Sequence, residues 1–503
     1  MKRIIIITII SCVTWINNIV AQNANDVLLF SQYYAGGTAR SAGVSGAFGA
    51  LGGDLSVLSA NPAGLAVYRG SELSFTPGLI FTNTNAKYDG NRFTEKNTHF
   101  VFNNIGYSYT KNRYNDKGLQ SISFGIAYNR LSDFNSNAYV KRKNATSSLL
   151  DEFLFYANGY DGTGFPVKPN NLYQFYEGLA YDTYAIDYSD EDNVYFSDYN
   201  LFGYNQPLYR SMSTRGGVGE YDLSLGLNFN HTLFWGATLG IQNIHYQEYW
   251  YHEETPEFDY MNFFGFSDEY TVNGLGLNFK TGVIYRPMQM LRLGAAIHTP
   301  TYLLMRPYHL TKMETSWNTS PSDDGGKHFY LETESDPSEK YRMRTPWRCS
   351  LSAATVMGTF GTVDVDVEIV NYSKSSIMPK STYDIENDDI SAILKTSVNV
   401  KGGAEFRLGP VYLRGGAAYY GNPYNKNGFD ANIRSTLKGA MSYSGGIGFR
   451  NRDFYMDAAY SFYKYPKKVN NLYLSYNDTD EWYEQATLQT STNKVIITFG
   501  FRF

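Results

Sequence analysis

The last ten residues of the chain alternate strictly. Val495, Ile497, Phe499, Phe501 and Phe503 fall on one face, and Lys494, Ile496, Thr498, Gly500 and Arg502 on the other. A period of two is the strand period, because successive side chains point to opposite faces. The same pattern recurs with Ile122, Phe124, Ile126 and Tyr128; with Tyr221, Leu223, Leu225, Leu227 and Phe229; with Leu275, Leu277, Phe279, Val283 and Tyr285; and with Phe454, Met456, Ala458, Tyr460 and Phe462. It is sharpest where Val363, Val365, Val367 and Ile369 alternate with Asp364, Asp366 and Glu368. Those three carboxylates cannot face lipid, where a charge costs several kcal/mol, so they are expected to line a polar lumen.

About fourteen such segments are predicted: 72–82, 99–110, 120–131, 219–230, 233–245, 270–285, 290–298, 346–357, 362–372, 397–408, 411–420, 441–450, 453–463 and 492–503. Each is close to the ~9–11 residues a tilted strand needs to cross a bilayer. Short connections (111–119, 231–232, 286–289, 358–361, 409–410, 451–452) alternate with long ones (83–98, 132–218, 246–269, 299–345, 373–396, 421–440, 464–491). Outer-membrane barrels have this asymmetry, with short periplasmic turns and long extracellular loops. The predicted fold is therefore all-β: a transmembrane antiparallel β-barrel spanning 71–503. The longest loop, 132–218, is expected to be part helical. Leu149, Leu150, Phe153, Leu154 and Ala157 recur at helical spacing, as do Leu172, Phe175, Tyr176 and Leu179.

Composition fits this pattern better than it fits a soluble chain. Of 503 residues 45 are Tyr and 32 Phe, while only 18% are charged, below the roughly 25% of soluble domains. Mean hydropathy is −0.37, and no apolar run of helix-spanning length follows residue 22, which argues against a helical membrane protein. A net charge of −5 gives no support to nucleic-acid binding. Residues 1–22 have the layout of a cleaved signal peptide: Lys2-Arg3, an apolar core, then Ala21-Gln22. Its removal would also take Cys12, leaving Cys349 alone and no internal disulfide.

Residues 23–70 lack strand periodicity. They are rich in Gly and small side chains from Ala35 to Asp54, followed by Asn61-Pro62-Ala63-Gly64. Such a segment suits a compact plug that lets backbones approach closely. The stretch Ala39-Arg40-Ser41, Gly43, Gly46-Ala47, then Asp54, then Asn61-Pro62-Ala63 resembles the N-terminal hatch of FadL/TodX-type outer-membrane transporters of long-chain fatty acids and other hydrophobic compounds. Leu291–Ala296 with Thr299-Pro300, and Thr345-Pro346-Trp347-Arg348, resemble family positions around the seventh and eighth strands.

The resemblance implies a fourteen-stranded barrel with the hatch in its lumen, in the outer membrane of a Gram-negative bacterium. It implies capture of an apolar ligand by extracellular loops, passage to a pocket above the hatch, and release gated by a shift of the N-terminal hatch, through a lateral gap near a kinked third strand. It places Asn61, Pro62, Ala63, Arg40 and Asp54 in the hatch and gate, with Gly125 a candidate for the kink. Candidate capture residues are Phe263, Phe264 and Phe266 in one loop and Tyr302, Leu303, Leu304 and Met305 in another. No cofactor, metal site or catalytic residue is expected: hydrolase, zinc-protease and phosphate-loop motifs are missing from the sequence. Expected partners are the ligand, outer-membrane lipid and lipopolysaccharide, and the barrel-assembly machinery reading the C-terminal strand that ends at Phe503; the chain is expected to be a monomer. Rival readings are uptake of another hydrophobe, such as haem or an aromatic hydrocarbon, a polar-solute porin, or a barrel enzyme.

Overall fold

The computed structural model describes residues 25–34, 36–113, 117–160, 164–256, 260–322, 325–426, 431–477 and 480–503. The expected signal peptide, 1–22, lies outside them.

Alternating strands pair in sequence order into a closed antiparallel barrel of 14 strands. They are β1 (Glu72–Tyr88), β2 (Asn91–Asn112), β3 (Leu119–Asp133, continued as Ser136–Arg142), β4 (Leu208–Phe229), β5 (Leu233–Glu254), β6 (Met261–Met288) and β7 (Leu291–His298, continued as Tyr302–Trp317). Then come β8 (Arg348–Met357, preceded by His328–Glu334 and Tyr341–Arg344), β9 (Gly361–Asn371), β10 (Thr396–Leu408), β11 (Val411–Tyr420), β12 (Ala440–Arg450), β13 (Phe454–Tyr476) and β14 (Glu481–Arg502). Closure comes from β14 pairing with β1, from Arg502 opposite Glu72 up to Thr487 opposite Lys87. Joining the first strand to the last closes the sheet, which is what allows it to sit in lipid.

The alternation sorts side chains as the sequence predicts. On β9, Val363, Val365 and Ile369 are exposed while Asp364 and Asp366 are buried inside. Exposed Leu79, Phe100, Phe124, Leu223, Leu277, Leu351, Val400, Ile447 and Val495 continue an apolar outer band around the barrel. In water such a band would aggregate; against acyl chains it is the stable arrangement.

Four of the expected long loops are largely strand, 299–345 through Tyr302–Trp317, His328–Glu334 and Tyr341–Arg344. β1 and β2 run on to a tight turn at Asp89-Gly90, both residues at positive φ (47° and 75°). β5 and β6 pair up to Glu254 opposite Phe264, and β13 and β14 up to Tyr476 opposite Glu481. The barrel wall therefore rises well above its lipid band. The 132–218 connection caps this rim. It holds α3 (Leu149–Ala157), which starts at a Ser148–Asp151 capping box, and α4 (Glu177–Asp182). Residues 172–176 form turns, not helix, because the Tyr173 carbonyl accepts from Tyr176 and Gly178 and the Tyr173 N–H is taken by the Glu177 carboxylate, 2.9 Å away. Leu149, Leu150, Phe153 and Leu154 of α3 bury against Phe264, Phe266, Met313, Leu472 and Tyr473 of the rising wall.

Candidate functional site

Inside the wall the N-terminal segment forms two distinct bodies. The lower one, 36–68, is a plug with its own small core of Val44, Phe48, Leu51, Leu55, Leu58 and Leu65. It is built from short helical turns, each capped by a polar side chain. Thr38 caps α2 (Ala39–Gly43), and its hydroxyl also donates to both Asp54 oxygens at 2.8 Å. Asp54 caps the next turn, accepting from the Ser56 N–H at 3.0 Å and the Ser56 hydroxyl at 2.6 Å. Asn61 caps the Pro62–Val67 turn through the Ala63 N–H at 3.1 Å and donates back to the Gly49 carbonyl at 2.7 Å.

Buried charge ties this plug to the wall. The Arg40 guanidinium forks onto Glu405 of β10 at 3.0 and 2.9 Å. Glu405 also accepts from Arg414 of β11 at 2.6 Å, Arg414 reaches Asp457 of β13 at 2.7 Å, and Asp457 takes Arg450 of β12 at 2.8 Å. Opposite, Asp366 of β9 accepts from the Phe48 and Gly49 N–H groups, each at 3.0 Å. The plug backbone lies so close to the wall that only glycine fits beneath it. A Cβ at Gly236 would overlap the Pro62 carbonyl, and one at Gly416 the Val44 backbone. Gly125 lies in regular β2–β3 pairing opposite Ser108, where its missing side chain makes room for Leu58 and Leu65 of the plug.

The upper body is α1 (25–31) and the irregular residues 32–34. Above the plug the lumen is an apolar chamber of Val218, Ile244, Tyr246, Val272, Leu303, Met305, Met343, Val370 and Tyr372, roofed by Ile390 and Ile393 of α5 (Asp384–Ile393). α1 fills it, with Val27, Leu28 and Phe30 buried and the Phe30 ring set edge-on to Phe134 and Tyr246 at 6.1 and 5.8 Å. Few polar contacts hold it. Arg348 donates to the Ser31 carbonyl and lies over the Tyr33 ring at 4.2 Å, and Tyr33 donates to Gln242 at 3.0 Å. Burial pushes the Asp26 carboxyl up to about 7, and the nearby Glu248 adds to the rise.

Beside this segment the wall is open. The β2–β3 ladder runs from Asn112 opposite Ser121 to Asn104 opposite Asn129 and stops there. β3 then bulges between Arg130 and Ser132, breaks after Asp133, and resumes at Ser136 paired with β4. Side chains bridge the gap in place of a ladder: His99 to Asp133 at 3.0 Å and Asn97 to Asn137 at 3.3 Å. The opening holds ≈530 Å³ and is lined by His99, Phe100, Val101, Phe102, Tyr128, Arg130, Asn135 and Gly216. Phe100 and Phe102 point out into the lipid band. On the inner side residues 32–34 are bonded to β3 beside the opening. Ser132 donates to the Gln32 carbonyl at 2.7 Å, and the Tyr34 N–H to the Leu131 carbonyl at 3.3 Å.

The sequence-predicted capture residues are not in loops. Phe263, Phe264 and Phe266 lie on the upper part of β6; Phe264 and Phe266 are fully buried in the cap core, against Trp250 and Phe153, and Phe263 is half-buried. Tyr302 to Met305 lie on the continuation of β7, so they alternate. Leu303 and Met305 line the chamber, while Tyr302 and Leu304 face outward. Sequence reasoning put Asp366 on the lumen face, where it is, and singled out Arg348 only as a family-like position; it missed Glu405, the contacts Asp366 and Arg348 make with the N-terminal segment, and the whole chamber-filling role of α1. The apolar run Val27–Phe30 was the available signal for the last.

No family model matches the sequence, and no curated protein matches it. Solved structures do. A Pseudomonas aeruginosa FadL homologue aligns over 94% of this chain and 100% of its own, at 13% identity and TM-score 0.52. The Pseudomonas putida toluene transporter TodX aligns over 94% and 100%, at 11% identity and TM-score 0.53. At such identities the likeness is one of fold. The chain has the fold of the FadL and TodX proteins: a closed antiparallel barrel of 14 strands preceded by an N-terminal helical segment.

Proposed function

We propose that this protein is an outer-membrane channel for the uptake of hydrophobic small molecules, long-chain fatty-acid-like in class. The observation that carries the proposal is the apolar chamber inside the barrel, filled by α1, with the same N-terminal segment bonded to β3 beside a wall opening. A ligand entering from the cap takes the place of Val27, Leu28 and Phe30. Burying apolar surface there is worth about 25 cal/mol per Å². The displaced segment uncovers the β2–β3 opening, and the ligand leaves sideways past Phe100 and Phe102 without re-entering water. Arg40, Asp54, Asn61, Pro62 and Ala63 keep the lower plug seated throughout, so the lumen never becomes an open pore. The fold shared with a FadL homologue and a toluene transporter agrees with this reading.

The test is uptake by liposomes containing the purified barrel, offered a radiolabelled long-chain fatty acid and, separately, a monoaromatic hydrocarbon. Saturable uptake of either supports a hydrophobe channel, and the preferred one names the class. A large steady ion current in planar bilayers, with no uptake of either, would make it a polar porin.

A further inference from the structure

One sector of the outer wall, just above the apolar band, is cationic and unpaired. On β13, β14, β1 and β2, the residues Tyr460, Val495, Leu79 and Phe100 stand side by side on one outward row. The next row up is Phe462, Asn493, Phe81 and Thr98. Above it the register sets Lys464, Ser491, Asn83 and Lys96 in one row, and Lys467, Gln489, Asn85 and Thr94 in another. The row above those holds Val469, Thr487, Lys87 and Arg92. Lys87, Arg92, Lys96, Lys464 and Lys467 are all exposed, and none of these three rows contains a carboxylate. With strands ~4.8 Å apart and rows ~6.8 Å apart, five cations share a face roughly 15 Å on a side. Among the described residues none of the five is in an ion pair.

The opposite sector is different. On the upper continuation of β7, Lys312 pairs with Glu332 at 3.1 Å, and Tyr308 donates to Glu334 at 2.7 Å. Among the described residues Arg306 and Arg342 of that sector are exposed and in no ion pair, so its cations are fewer and only partly paired. On β13–β2 five stand unpaired at the height where lipid headgroups begin.

We propose that the β13–β14–β1–β2 face binds a phosphorylated glycolipid of the outer leaflet. Its acyl chains lie on Leu79, Phe81, Phe100, Phe462 and Val495, and its phosphates on the five cations. Lysine and arginine are the usual phosphate donors, and both act here at the edge of a low-dielectric layer, where their attraction is strongest. The flanking rim holds a cleft of ≈560 Å³ where Lys141, Arg142 and Lys143 meet the carboxylates of Asp89 and Glu253, with Arg142 paired to Asp89 at 3.3 Å, so the carboxylate-free surface ends there. This inference rests on the outer-membrane reading above.

The experiment uses the full chain in nanodiscs of neutral phosphatidylethanolamine. The probe is a multiply acylated glucosamine disaccharide bearing two phosphates, and bound glycolipid per barrel is counted by native mass spectrometry. K87Q/R92Q/K96Q/K464Q/K467Q is expected to bind at least about tenfold less than the parent, and the parent to bind the dephosphorylated probe about tenfold less. R306Q/K312Q/R342Q, on the other sector, is expected to stay within about twofold. Equal binding by the five-site variant, equal loss in both variants, or indifference to the phosphates would overturn the proposal. Heat-modifiable migration on gels checks that each variant is a folded barrel. Membrane fractionation of the parent separately tests the outer-membrane reading, so the two can fail independently.

Discussion

The two halves of the N-terminal segment occupy one lumen and are held by opposite means. Residues 36–68 are pinned by a buried chain of charges, by Asp366 on two backbone N–H groups, and by wall glycines that admit the plug backbone. Residues 25–34 are held by apolar contact and a handful of hydrogen bonds. Charges and directed bonds specify one position, and breaking them leaves buried groups unpaired. Apolar contact is not directional, and any apolar molecule of suitable size can replace it. The difference makes the lower body a fixed floor and the upper one a displaceable occupant.

The largest expected effect comes from cutting the floor loose. Arg40→Ala leaves Glu405 buried with only Arg414 for company, and is expected to cost about 3 kcal/mol of barrel stability. Denaturant unfolding in detergent would read this as a lower midpoint, and bilayer recordings as a rise in ion leak. Phe30→Ala is the matching cut in the occupant. It is expected to weaken docking of α1 by about 3 kcal/mol, yet to leave the barrel's unfolding midpoint unchanged and to tighten binding of an apolar ligand. If both variants shift the unfolding midpoint alike, the two bodies are one.

The third prediction concerns pH. Free in water Asp26 ionises near 3.8, while docked it holds its proton up to about 7. Docking of α1 is therefore at full strength below the lower value, weakens as pH rises between the two, and is constant above the upper one. Asp26→Asn is expected to abolish that dependence, as followed by amide exchange of residues 25–31. The smallest effect is at the wall. His99→Ala removes one bridge across the β2–β3 opening and is expected to cost about 1 kcal/mol or less. Its signature is a faster release rate in the uptake assay with equilibrium ligand affinity unchanged.

The wall was readable because Val363–Ile369 and Val495–Phe503 carry a lipid face and a lumen face in simple alternation. The rising parts were not. In Tyr246–Glu254 both faces carry aromatic and polar side chains, so no periodicity marks the strand. Tyr302–Met305 was obscured by Thr299-Pro300, which punctuates a break in β7 rather than its end. At the site, Asp54 and Asn61 announce themselves as turn-capping residues before helical turns. Their wall partners do not: Arg40 and Glu405 are 365 residues apart, and only closure of the barrel brings them together. The wall opening depends on where a backbone ladder stops, which no single side chain encodes.

Amide exchange with and without a saturating apolar ligand tests the division between floor and occupant most directly. The account predicts that residues 25–34 lose protection when ligand binds while residues 38–66 keep theirs. Loss of protection in both stretches together, or ligand bound with 25–34 still fully protected, would contradict it.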